Sequence, residues 1–126
     1  MPYDRQFTDE QIRGIAEWQE VIGVVFDVWI LTPDFDEVRL GNSRTSLATV
    51  VAHMDHICQM SGSARHAANG TDLDGGYGWE QSPHDLDTTA DFQKIPAILA
   101  QRGYSPDDIA GIMHGNWIGL LRRAWR

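Results

Sequence analysis

The stretch that most constrains this chain is Val21-Ile22-Gly23-Val24-Val25-Phe26, a nearly unbroken β-branched and apolar run. Such a run suits a strand buried on both faces, as parallel strands covered by helices are. Just before it, Thr8 and Gln11 have the spacing of a capping box, and Ile12, Ile15 and Ala16 share one helical face while Arg13, Glu17 and Glu20 turn elsewhere. A short helix beginning near Asp9 and leading at once into a buried strand is α/β grammar. The apolar run continues through Asp27-Val28-Trp29-Ile30-Leu31, with a carboxylate close to the expected strand end. A buried charge is costly unless paired. Asp27 is therefore either hydrogen-bonded to a neighbouring loop or, since parallel strands end at ligand sites, part of a pocket lining.

Residues 32–45 are polar and turn-rich and read as loop. Beyond them Leu47, Val50, Val51, Met54, Ile57 and Cys58 recur at helical spacing, with Gly62 as the stop. His66 to Thr71 is weakly strand-like and runs into Asp72-Leu73-Asp74-Gly75-Gly76-Tyr77-Gly78, which puts two carboxylates and a flexible turn at a strand end. Asp87 is placed to cap a helix entering at Thr88, and Pro96 either begins a second helical segment or kinks the first. Ser105-Pro106-Asp107-Asp108 is a further helix start, and Gly115 and Asn116 punctuate before a last helix through Trp125.

The 126 residues are enough for one core, so residues 1–126 are treated as a single domain. A formal charge of −8 opposes binding to nucleic acid or anionic lipid. No apolar run approaches the roughly 20 residues of a membrane span, and the first residues lack the basic-then-apolar pattern of a secretory signal, so a cytoplasmic protein is expected. The single cysteine, Cys58, rules out an internal disulfide and any Cys-rich zinc framework.

Two clusters could carry chemistry. His53 and His56, with Asp55 between them, stand on adjacent turns of the periodic helix, but His53 flanks its apolar face and His56 lies nearly opposite, which suits structural histidines better than a shared metal. In the second cluster, counting Asp72 as the first position of a calcium loop puts Tyr77 where glycine is needed and Pro83 where the bidentate Glu is needed. Acid–base work by a carboxylate at a strand end survives as the chemical reading of Asp72.

Four blocks then stand together: His53-Met54-Asp55-His56-Ile57-Cys58-Gln59, Gly70-Thr71-Asp72-Leu73-Asp74-Gly75-Gly76, Arg102-Gly103-Tyr104-Ser105 and Ile112-Met113-His114-Gly115-Asn116-Trp117. In order and spacing they resemble the C-terminal part of the membrane (renal) dipeptidase family, and Asp4 to Gln11 and Val21 to Val24 extend the resemblance upstream. The resemblance implies a metal-dependent hydrolase of dipeptides and related small amides on a (β/α)₈ barrel with two zinc ions. It also implies that Asp72 is the acid that exchanges a proton with the metal-bound water and the leaving amine, and that Arg5 holds the substrate carboxylate. The metal ligands of the family fall before this chain, so no metal-binding residue is assigned. Asn69 stands where relatives usually carry an apolar residue.

A complete barrel takes about 250 residues. The expectation is therefore an α/β chain forming a partial (β/α)₈ barrel, about its last two strands and the C-terminal helices. Such a piece is expected to be inactive alone and to pair with the missing N-terminal portion or with itself through open strand edges. A non-catalytic interaction module using the same edges remains the alternative.

Overall fold

The computed structural model describes residues 7–27, 31, 45–72, 82–86 and 88–125. Helix α1 (Asp9–Glu17) starts at the expected capping box: Gln11 N–H donates to Thr8 Oγ1 at 3.2 Å and Thr8 N–H to Gln11 Oε1 at 2.8 Å. It closes without a glycine. Gln19 takes the left-handed position (φ 59°), with Gln19 N–H on the Ala16 carbonyl at 2.9 Å and Glu20 N–H on the Ile15 carbonyl at 3.3 Å, the pairing of a Schellman motif.

The chain then enters β1 (Ile22–Val24), which pairs in parallel with β2 (Ala67–Asn69), Ile22 opposite Ala67 and Val24 opposite Asn69. The strand is shorter than the apolar run, and burial on both faces is not observed. Ile22, Val24 and Phe26 are buried, whereas Gly23 and Val25 are half-buried. The second face of β1 is thus only partly covered, while in β2 the consecutive Ala67 and Ala68 are both fully buried.

The covering layer is built on α2 (Leu47–Ser61), whose Leu47, Val50, Val51 and Met54 are fully buried against Phe26, Ile95, Leu99 and Ile112. Its first turn is held from far along the chain, Leu47 N–H donating to Asp85 Oδ1 at 2.8 Å, and it stops at Gly62 in the left-handed conformation (φ 75°). A 3-10 turn, Ala64–His66, leads into β2. Asp87 lies outside the described residues. The next 3-10 turn, Thr89–Gln93, follows Thr88, whose N–H is received by Asp91 Oδ2 at 2.9 Å. Pro96 is the third residue of α3 (Lys94–Gln101), inside the first turn where its missing donor costs nothing, so it begins a segment and kinks none.

Beyond Ser105, whose Oγ accepts from Asp108 N–H at 3.2 Å, the expected break at Gly115 and Asn116 is absent. Helix α4 (Pro106–Ala110) continues through a π turn, Gly111–Gly115, into α5 (Asn116–Ala124). The reason lies in Asn116, whose amide donates to the carbonyls of both Ala64 and Ala67 at 2.8 Å. Trp117 Nε1–H reaches the Asn69 carbonyl, also at 2.8 Å. These bonds repay the weaker helical geometry by satisfying carbonyls at the entrance and exit of β2. Gly111 is required beside them, since a Cβ there would sit 2.9 Å from Asn116 Oδ1.

Two features of the strand pair are exposed to test. Backbone meets backbone at Gly23 and Gly70: a Cβ on Gly70 would lie 2.9 Å from Gly23 Cα and C, and one on Gly23 would lie 3.0 Å from Gly70 Cα and from Trp117 Cζ2. Gly70→Ala is expected to cost about 1–3 kcal/mol in urea unfolding, the range for overpacking. Asn69, in contrast, donates only weakly to the Met113 carbonyl (3.4 Å) and leaves its Oδ1 buried without a partner. A buried acceptor without a bond costs about 1–3 kcal/mol, so Asn69→Val is expected to raise the urea midpoint; a lower midpoint would show that the Met113 bond outweighs the orphaned oxygen.

Candidate active site at the strand ends

The site candidates sit at the carboxyl end of the parallel pair. Gly70 N–H donates to the Val24 carbonyl at 3.0 Å and Phe26 N–H to the Thr71 carbonyl at 3.2 Å, so the pairing outlasts the regular strands by two residues. Asp27 and Asp72 follow directly on these bonded residues, each just beyond the carboxyl end of its strand. Phe26 anchors this end: its ring is fully buried and meets Phe92 edge-on with centroids 5.3 Å apart.

Asp72 is exposed and has φ 55°, a conformation Asp tolerates better than most residues. This left-handed residue turns the chain sharply as it leaves the sheet. Asp27 is half-buried and held by an interaction of its own. Two carboxylates thus share one end of the sheet, one exposed and one partly enclosed, an arrangement suited to moving a proton or fixing a polar substrate. Arg5 lies outside the described residues. That these two carboxylates share one end of a strand pair could not be seen in the sequence, because the pairing joins two distant segments.

The structure does not bring His53, Asp55 and His56 together. His53 Nε2 bonds the Leu31 carbonyl at 3.1 Å, and His56 Nε2 meets Asp9 Oδ1 at 2.7 Å, pinning α2 to the start of α1. Asp55 faces a third way, receiving Tyr104 O–H at 2.5 Å and Arg102 Nη1–H at 3.2 Å. The metal reading of these three residues is thereby overturned, and among the described residues no group of three His, Cys, Asp or Glu side chains could hold an ion. Asp27 and Asp72 alone do not fit the two-zinc site that the resemblance implies. Burial pushes the Cys58 thiol above its ordinary range, which makes it unreactive; burial and the bond to Asp55 push the Tyr104 hydroxyl up as well.

Burial lowers the His53 pKa, against a smaller opposing effect of the Leu31 carbonyl. The folded state therefore prefers neutral imidazole. Above the ordinary His value of 6.5 both states are neutral; as pH falls below it, the unfolded chain takes up a proton that the folded chain refuses, and stability drops until the folded pKa is passed. Urea midpoints measured from pH 7.5 downward are expected to fall through this window, and to fall less in His53→Gln, which keeps a donor for the Leu31 carbonyl.

With this geometry in place, comparison with known proteins is informative. Residues 1–125 match the family model of the membrane dipeptidases, Peptidase family M19. Among curated relatives, a protein described as uncharacterized in the pqqA 5′ region of Klebsiella pneumoniae is 30% identical over 99% of this chain and 43% of its own length. The dipeptidase aclJ of Aspergillus oryzae is 25% identical over 95% of this chain and 26% of its own length. Two crystal structures superpose closely: one described as dipeptidase AC, a metallopeptidase of family M19 (TM-score 0.79, 27% identity, 96% of this chain, 33% of that one), and a metallopeptidase from Rhodobacter sphaeroides carrying a phosphinate mimic of the dipeptide L-Ala-D-Ala (TM-score 0.78, 26% identity, 96% of this chain, 32% of that one). The chain thus spans under half the length of these curated relatives and about a third of these solved structures. The paired strands with their carboxylate-bearing ends, the helices that cover them and the match along the whole sequence place this chain in the membrane dipeptidase family, Peptidase family M19.

Proposed function

We propose that this chain serves as the C-terminal part of a metal-dependent dipeptidase, supplying the last two strands of a (β/α)₈ barrel and one carboxylate of the catalytic machinery. The observation that carries the reading is that Asp72 and Asp27 each follow directly on the carboxyl end of a strand in one parallel pair, the end at which barrel enzymes build their sites. Asp72 takes a proton from the attacking water and returns it to the nitrogen of the leaving amine. Asp27, partly enclosed on the neighbouring strand, lines the same pocket and orients what binds there. Arg5 holds the carboxylate of the dipeptide, a task for which a guanidinium fork is well shaped. The described residues form no metal site, and the zinc ions implied by the resemblance belong to the portion of longer relatives that this chain does not span.

The reading predicts that the purified chain with zinc leaves L-Ala-D-Ala intact, and that hydrolysis appears when it is co-expressed with the upstream two-thirds of the Rhodobacter sphaeroides relative. In that assembly Asp72→Asn is expected to lower kcat by about 10²–10⁴-fold, the usual worth of a general acid–base residue, and Arg5→Ala chiefly to raise KM. Full activity in Asp72→Asn sinks the catalytic assignment. A stable complex with no hydrolysis supports instead the non-catalytic module, a reading favoured by the large apolar side chains Phe7 (52% exposed), Trp18 (81%) and Trp125 (79%).

A further inference from the structure

The end of the strand pair remote from Asp72 has a chemistry of its own. A hollow of about 500 Å³ opens there, and among the described residues its charged lining is wholly basic: Arg65, His66 and Arg123, beside Gln19, Asn116 and Gly119. This is unexpected in a chain whose 18 carboxylates outnumber its 10 Lys and Arg. Three described basic side chains meet carboxylates, Arg102 at Asp55, Lys94 at Asp91 and His56 at Asp9. Those of the hollow do not. Arg123 Nη2–H donates to the Gln19 carbonyl at 2.9 Å, and His66 Nδ1 bonds the Glu20 carbonyl at 2.8 Å, which fixes both side chains by neutral groups and leaves their remaining nitrogens available. The Arg65 guanidinium makes no hydrogen bond or ion pair among the described residues. Glu17 lines an adjoining hollow together with Arg13, Ala16 and His66.

Backbone geometry supports a built site. The two carbonyls that hold Arg123 and His66 are consecutive and are presented by the left-handed turn at Gln19, a conformation that strains a residue with a side chain. Gly119 lies against Arg123, whose Nη1 a Cβ there would meet at the ordinary contact distance of 3.5 Å. The Asn116 amide is already committed to the Ala64 and Ala67 carbonyls, which leaves the basic side chains as the charged donors of the cavity.

We propose that this hollow is a binding site for a phosphate group, free or esterified to a small molecule. Two guanidinium forks and an imidazole lining one hollow match a tetrahedral oxyanion, and the volume falls within the range of small-ligand sites, about 300–1,000 Å³. The site lies roughly 20 Å from the Asp27 and Asp72 end, at about 3.3 Å per residue along the strands, so occupancy does not require the catalytic pocket.

Isothermal titration calorimetry of the full chain at constant ionic strength tests the proposal, with sodium phosphate, glycerol 3-phosphate and sodium chloride as titrants. Saturable one-to-one binding of phosphate or of the ester, and none of chloride, is expected. Tighter binding of the ester identifies a phosphorylated small molecule as the ligand, whereas tighter binding of phosphate identifies the free ion. Arg65→Ala should weaken binding at least tenfold without touching a hydrogen bond of the fold, and Arg65→Ala with Arg123→Ala should abolish it. Arg122→Ala removes one charge from the same helix outside the hollow and should leave binding unchanged. Absence of saturable binding, or equal weakening by Arg122→Ala and Arg65→Ala, overturns the proposal.

Discussion

The close approach of Gly23 and Gly70 is the contact on which the rest of the molecule depends. With any Cβ at either position reaching to about 3 Å of the opposite backbone, only glycines allow the parallel strands to pair as they do. With that pairing go the bond from Phe26 N–H to the Thr71 carbonyl and the seating of the Trp117 ring over Gly23. Burial alone would not define this register. The hydrophobic effect is non-directional, and the apolar run from Val21 to Phe26 offers similar side chains at neighbouring offsets.

The pair of strands also sorts charge along its length. Carboxylates gather where the strands end and unpaired basic side chains gather where they begin, although the chain as a whole is strongly acidic. Helices hold both ends: α2 and α3 enclose Phe26 and its neighbours, while α5 reaches back to the turn before β1 through Arg123 and to the carbonyls flanking β2 through Asn116 and Trp117. The ends are therefore mechanically joined through the same two strands, and the assignments made to them rest on separate residues.

Much of this was legible in the sequence where the determinant is local. The Thr8 capping box, the apolar period of α2, its Gly62 stop and the Ser105-Pro106 start need only a few neighbouring residues, and each lies where its pattern says. What escaped was set by distant partners. Asp85 caps α2 from 38 positions away, Asn116 is a brace for β2 and not a helix breaker, and Gln19 closes α1 in a conformation for which glycine is the usual signal. The carboxylate of Asp72 was recognisable as a strand-end acid, and Asp27 as a charge in need of a reason. Their sharing one end of the strand pair was not, since strand pairing is a property of two segments far apart in the chain.

The π turn at Gly111–Gly115 has a consequence for how the chain can vary. It adds one residue to a helix whose later side chains are addressed to fixed carbonyls, so it works as a phase shift of about 100° between α4 and α5. Remove the extra residue and the helix could remain intact by every local measure while Asn116 and Trp117 swing away from Ala64, Ala67 and Asn69. Length at this point is therefore as much a part of the specification as residue identity. Substitutions along the exposed face of α5 change a surface, but a single insertion or deletion changes which surface faces the sheet.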